Sequence, residues 1–204
     1  MHKNSIGQAL LCALIGLALL SSLSISTASA TSNRDTTGKT TAFDLQFIDM
    51  MVPHHQGAVA MAQIALRRAQ HPRLRQLARS IIAGQNREIS QMRSWRKAWY
   101  GSAQTPSMAH MPMLPGVAMP AMNMSMDLRR LQIARPFDRA FLDAMTPHHQ
   151  SAVVAARAEL ARGTRPQLRA LARTIITTQK REIREMHAWR VNWHGSGIMS
   201  GMGH

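Results

Sequence analysis

Cysteine is nearly absent from this 204-residue chain, and the single one, Cys12, lies in an N-terminal apolar run that reads as an export signal. A mature chain without it has neither a disulfide framework nor a thiolate metal site. Acidic residues are scarce as well: ten Asp and Glu stand against 25 Lys and Arg, a formal charge of +15. A di-iron oxidase needs a set of inward carboxylates and a Glu-x-x-His spacing on two helices. This chain lacks that spacing, and Glu88 and Glu182 are the only glutamates on its inward stripes. Segments alternating as β-strands are missing too. The apolar run Ala9 to Leu20 is too short for a membrane span.

That run instead follows the positive Lys3 and precedes Ala28-Ser29-Ala30, the n-region, h-region and cleavage pattern of a signal peptide. Residues 1–30 are therefore expected to be removed near Ala30, giving a periplasmic or secreted protein. Residues 31–41 are polar and expected to be disordered. Without Lys3 the charge is 24 basic minus 10 acidic residues, or +14, which attracts anionic surfaces such as envelope polymers. Export makes nucleic acid an unexpected physiological partner.

What the chain does have is said twice. Phe43–Gly101 and Phe137–Gly195 align without a gap at an offset of 94 residues, with 31 of 59 positions identical. Each copy carries Pro-His-His-Gln, at Pro53–Gln56 and Pro147–Gln150. Leu74, Ala78, Ile81, Gln85, Glu88, Met92, Trp95 and Trp99 recur at spacings of three and four, as do their counterparts from Leu168 to Trp193. That is a single helical stripe. Pro72 and Pro166 suit the first turns of these helices, and Gly101 and Gly195 suit their ends. A preceding helix runs from Ala42 to about Ala69, with a kink or short break expected at Pro53. The organisation is thus a helical hairpin over 42–101, a methionine-rich linker over 102–135, a second hairpin over 136–195 and a Gly/Met/His tail over 196–204. Two hairpins predict an all-α, antiparallel four-helix bundle with a pseudo-twofold axis.

Polarity falls where the core should be. His54, His55, Gln85 and Glu88 lie on or beside stripes expected to be buried, as do His148, His149, Gln179 and Glu182. A buried polar group left without a partner costs about 1–3 kcal/mol. Either the glutamates and glutamines satisfy the histidines in a register-fixing network, or the imidazoles and nearby thioethers hold a metal while Glu or Gln orients them. Met51, Met61 and Met92 accompany the first pair, and Met145 and Met186 the second. Imidazole with thioether is a soft set that suits Cu(I), and Ag(I), better than Zn(II). Ala144 and Ala155 replace Met50 and Met61 in the second copy. The first hairpin is therefore expected to hold the stronger site.

The linker extends the pattern with Met108, Met111, Met113, Met119, Met122, Met124 and Met126 around His110, and the tail adds Met199, Met202 and His204. Leu, Ile and Phe are nearly missing from this stretch. Methionine is the soft ligand that survives an oxidising compartment, so a mobile thioether strand that collects Cu(I) or passes it on is expected.

The compound motif Phe-Asp-x-x-Phe-Ile/Leu-Asp-x-Met-x-Pro-His-His-Gln-x-Ala-Val, followed by Leu-Ala-Arg-x-Ile-Ile-x-x-Gln-x-x-Glu-Ile-x-x-Met-x-x-Trp, resembles the domain of unknown function 305 family across Phe43–Gly195. That resemblance implies a ferritin-like bundle and an exported bacterial protein. Members of the CopM type are copper-binding proteins linked to copper resistance. By position, the resemblance carries over His54, His55, Met51, Met61, Glu88 and Met92, with His148, His149, Met145, Glu182 and Met186. The expected function is non-enzymatic: sequestering Cu(I), or delivering it to another copper protein. The competing reading is a basic adhesion module on anionic envelope polymers, with purely structural histidines. Polyanion binding collapses as salt rises, whereas soft-ligand copper binding does not.

Overall fold

A computed structural model describes residues 38–118 and 128–194, with side chains from Phe43 onward. Helix α1 spans Gly38–Arg68 and α2 Pro72–Tyr100; a short α3, Leu128–Ile133, precedes α4, Phe137–Arg162, and α5, Pro166–His194. Strands are absent among the described residues. Helix α1 starts at Gly38 rather than Ala42, so the tract expected to be disordered is helical from 38 onward; residues 31–37 lie outside the described residues, as does the export segment. The break expected at Pro53 is not there: α1 and α4 run uninterrupted through Pro53 and Pro147. Pro72 and Pro166 begin their helices as anticipated. Gly101 ends α2 in the left-handed region, at φ 82°, donating its N–H to the Lys97 carbonyl.

Each hairpin packs on itself, α1 with α2 and α4 with α5, while α1 against α4 makes the central contact between repeats. Helices α2 and α5 scarcely touch. The apolar core falls into two clusters. One gathers Phe43, Phe47, Met50, Met51, Met92, Ala155 and Leu168. The other gathers Met61, Leu74, Ile81, Phe141, Met145 and Met186. In every long helix the conserved-spacing His, Gln and Glu positions fall between the segments that build these two clusters, so a polar layer crosses the middle of the bundle.

The aspartates of the repeated Phe-Asp-x-x-Phe motif hold this frame together. Asp138 accepts from the backbone N–H groups of Gln70 and His71, both at 2.9 Å, and pairs with the His71 ring at 2.6 Å. Its counterpart Asp44 accepts from Thr164 N–H at 3.0 Å and the Thr164 hydroxyl at 2.5 Å. Each interhelix loop is thereby tied to the other repeat. Aromatic contacts reinforce both ties: His71 stacks on Trp193 at 3.8 Å, and the Arg165 guanidinium lies 4.8 Å over Trp99. Asp49 pairs with Arg96, and Asp143 with Arg190, inside the hairpins.

One of the differences between the repeats is a compensated buried pair. Ala65 in α1 and Ala69 just beyond it correspond to Glu159 in α4 and its C-cap Gly163. A methyl at Gly163 would overlap the Glu159 carboxyl, so the large buried side chain and the missing Cβ belong together. Burial first, and then neighbouring Asp44, push the Glu159 carboxyl from its ordinary 4.5 up to about 9; Arg169 opposes them. Because the folded value is raised, stability from this group is complete below pH 4.5 and lost as pH climbs toward 9. Gly163→Ala alone should destabilise by about 1–3 kcal/mol through overpacking. Glu159→Ala combined with Gly163→Ala, which copies the first repeat, should recover that loss. Its margin over the natural chain should widen with pH in denaturant titrations.

Candidate metal centre

The central α1–α4 contact brings the four histidines into a single row. His54 and His148 face each other across the repeats with ring centroids 3.8 Å apart and a 34° tilt. His55 lies 6.2 Å beyond His54, and His149 lies 6.4 Å beyond His148. All four are buried. The two pairs expected to form separate sites, one per hairpin, are thus contiguous through the pseudo-twofold axis.

Hydrogen bonds fix which ring nitrogen carries the proton in three of them. His55 Nε2 lies 2.7 Å from Glu88 Oε2, and His149 Nε2 lies 2.8 Å from Glu182 Oε2. A carboxylate only accepts, so in the neutral imidazoles both Nε2 atoms bear hydrogen. His54 Nε2 lies 2.8 Å from Ser151 Oγ, and Ser151 spends its one proton on the His148 carbonyl at 2.7 Å. Ser151 must therefore accept from His54 Nε2–H. The Nδ1 lone pairs of His54, His55 and His149 are left over, and each is buried without a partner. His148 has no hydrogen-bond partner at either ring nitrogen among the described residues, so its tautomer is not fixed. Burial, and then the neighbouring histidines, hold His54 and His148 well below the ordinary imidazole range; both are neutral, the form that ligates.

Gln85 and Gln179 add two buried amide oxygens with no partner. Six buried polar atoms in three symmetric pairs are therefore unsatisfied in one layer, whereas native structures leave only a few such groups per hundred residues. Their chemistry fits a cation. The Glu–His bonds fit it too, since a metal-bound imidazole typically donates its other N–H to a carboxylate. Among the described residues, His, Cys, Asp and Glu form no group of three arranged to hold a metal. The soft donors that could complete a site are thioethers.

Those thioethers are present and fully buried: Met50, Met51, Met61, Met92, Met145 and Met186. Their grouping departs from the spacing argument. Met61 packs in the cluster that holds Met145 and Met186, whereas Met50, Met51 and Met92 share the other with Ala155. The count becomes three on each side, which removes the reason for ranking the first hairpin above the second. His187, a conceivable substitute on α5, is exposed.

The described part of the linker is docked rather than mobile. Leu114 and Val117 are buried, Arg162 donates to the Pro115 carbonyl, and Met111 packs against the core. Met108 and His110 sit in one 3-10 turn on the surface, where His110 Nδ1 bonds the Ser107 hydroxyl at 2.9 Å; Met113 is exposed. Met119, Met122, Met124, Met126, Met199, Met202 and His204 lie outside the described residues. Ser151 and Gly57 are the functional positions that spacing missed. They occupy the same place in the two repeats, the one mismatch within the run Pro-His-His-Gln-x-Ala-Val, and that mismatch was the available signal.

Ser151→Ala should strand the His54 Nε2–H and lower stability by about 1–3 kcal/mol. Long-range proton–nitrogen spectra should show Nε2–H tautomers for His54, His55 and His149 in the natural chain, with only His54 altered in the variant.

A family model described as Domain of unknown function (DUF305) matches residues 44–190. CopM in its Cu(I)-bound form is 41% identical, with a TM-score of 0.62, over 74% of this chain and 98% of CopM. A DUF305 fragment from Deinococcus radiodurans is 31% identical, with a TM-score of 0.61, over 74% of this chain and 96% of that one. An uncharacterized protein of Acanthamoeba polyphaga mimivirus is 41% identical over 58 residues, and the match spans only 38% of that protein's length. The chain belongs to the DUF305 family.

Proposed function

We propose that this chain is an exported copper-binding protein that takes Cu(I) into the polar layer of its bundle and sequesters it or hands it to another copper protein. The observation that carries this reading is the set of buried, unpartnered groups: Nδ1 of His54, His55 and His149, the ring of His148, whose tautomer is not fixed, and Oε1 of Gln85 and Gln179. Left alone, each is a standing penalty; a soft cation converts the imidazole lone pairs into bonds. Three buried thioethers on either side of the row supply ligands of matching softness. Glu88 and Glu182 orient His55 and His149 from behind. CopM, solved with Cu(I), Cu(II) and Ag bound, supports the choice of metal and makes Ag(I) a usable surrogate.

The protein is a binder rather than an enzyme: the site offers ligands, and every carboxylate in it is engaged in holding an imidazole. The methionines at 119, 122, 124 and 126 and in the tail would extend its capacity with further thioether ligands. Its charge of +14 does not attract a cation, so affinity has to come from ligation.

The test is anaerobic Cu(I) competition against a chromophoric chelator. Because the histidines form one row, changing His54 and His55 to alanine, or His148 and His149, should weaken tight binding to a similar extent. Changing all four should cost little more than either pair, the non-additivity of a shared site. Raising salt should leave the affinity unaltered. Tight binding untouched by all four substitutions would move the function to the linker and tail.

A further inference from the structure

The pseudo-twofold symmetry of the histidine row is broken at Gly57 and Ser151, which occupy equivalent positions beside it. On the α4 side Ser151 closes over His54, its hydroxyl 2.8 Å from His54 Nε2. On the α1 side Gly57 has no side chain, and His148 is left without a hydrogen-bond partner among the described residues. The space is not idle. A Cβ built at Gly57 would lie 2.8 Å from the terminal methyl of Met108 and 3.4 Å from His148 Nε2. The linker's helical turn thus reaches across α1 and sets a thioether over the gap that leads to the least constrained imidazole of the row. Met108 itself is 38% exposed, whereas His148 is 2% exposed. One residue touches both solvent and the buried site's edge.

We propose that Met108 is the loading ligand of this protein: Cu(I) is taken from solution on its sulfur and passed through the Gly57 gap to His148 Nε2. This rests on the copper-binding reading above. The step is a ligand exchange in which a Cu–S bond is replaced by a Cu–N bond. No electron moves, and His148 can release Nε2 for the metal by keeping its proton on Nδ1, a freedom that the other three histidines lack. A sulfur ligand suits the outer position because thioethers bind Cu(I) without competing for protons. The other approach, the groove between α2 and α5, is a poorer entrance. Its narrow middle, about 340 Å³, is lined by Arg87 and Arg181, which repel a cation. The Glu88 and Glu182 carboxylates at its floor are already bonded to His55 and His149.

Two variants of the full mature chain separate this route from a resident ligand. Met108→Leu keeps the packing and removes the sulfur. Gly57→Ser copies the repeat partner and fills the gap, in a backbone setting that already accepts serine at 151. Loading is followed by stopped-flow transfer of Ag(I) and Cu(I) from a chelator, and affinity by equilibrium competition. Both variants should load at least about tenfold more slowly, a barrier increase of about 1.4 kcal/mol, with equilibrium affinity essentially unchanged in Met108→Leu. In methyl spectra of the natural chain, the Met108 signal should move before those of buried Met145 and Met186 as Ag(I) is added. Unaltered loading rates in Met108→Leu would overturn the route, and so would a loss of affinity matching the loss of rate, which would make Met108 a permanent ligand. Absence of equilibrium binding by the natural chain would instead overturn the copper reading itself.

Discussion

Two imidazoles, His54 and His148, meet ring against ring where α1 crosses α4, and the bundle is organised around that contact. Stacked neutral histidines are a weak adhesive, and burial makes their unpartnered nitrogens costly. The contact persists because other interactions fix it from both ends. Asp44 and Asp138 each cap the interhelix loop of the opposite repeat, and two apolar clusters close above and below the polar layer. The energy of the fold comes from those clusters and caps. It is spent on holding a row of lone pairs in a place where no proton donor among the described residues satisfies them. An arrangement of this kind is costly in an empty protein and favourable in a loaded one, which is the expected property of a receptor for a soft cation.

Duplication explains the symmetry, and the departures from it mark where the two halves have taken different roles. Ala65 and Ala69 against Glu159 and Gly163 is a compensated exchange, volume added at one position and removed at the next turn. It places a neutral carboxyl beside Asp44 and makes that end of the bundle sensitive to pH. Gly57 against Ser151 is another departure. It leaves His54 hydrogen-bonded and His148 without such a partner among the described residues, beneath a methionine from the segment that joins the repeats.

The fold was legible because its signals are local and repeated. The three-and-four stripe, the proline at the first turn of α2 and α5, and the glycine ending α2 each act within a few residues, and the two copies corroborate each other. The polar layer was legible as well, since Gln85, Glu88 and the histidines interrupt apolar stripes. What spacing could not give was the pairing between repeats. Met61 lies two turns from His54 on one helix face, yet it packs with Met145 and Met186, because the α1–α4 contact turns that face toward the other hairpin. The same crossing joins His54 to His148, residues 94 apart, and brings Met108 onto Gly57. Pro53 also misled as a break: its cost to an isolated helix is real, but α1 continues through it without interruption.

Copper K-edge absorption of the Cu(I)-loaded mature protein, compared with the variant carrying alanine at His54, His55, His148 and His149, tests the central claim most directly. A first shell of both imidazole nitrogen and thioether sulfur, reduced to sulfur alone in the variant, is the result expected if the histidine row receives the metal. Sulfur-only coordination already in the natural chain, unchanged by the four substitutions, would contradict it and leave the row a purely structural network.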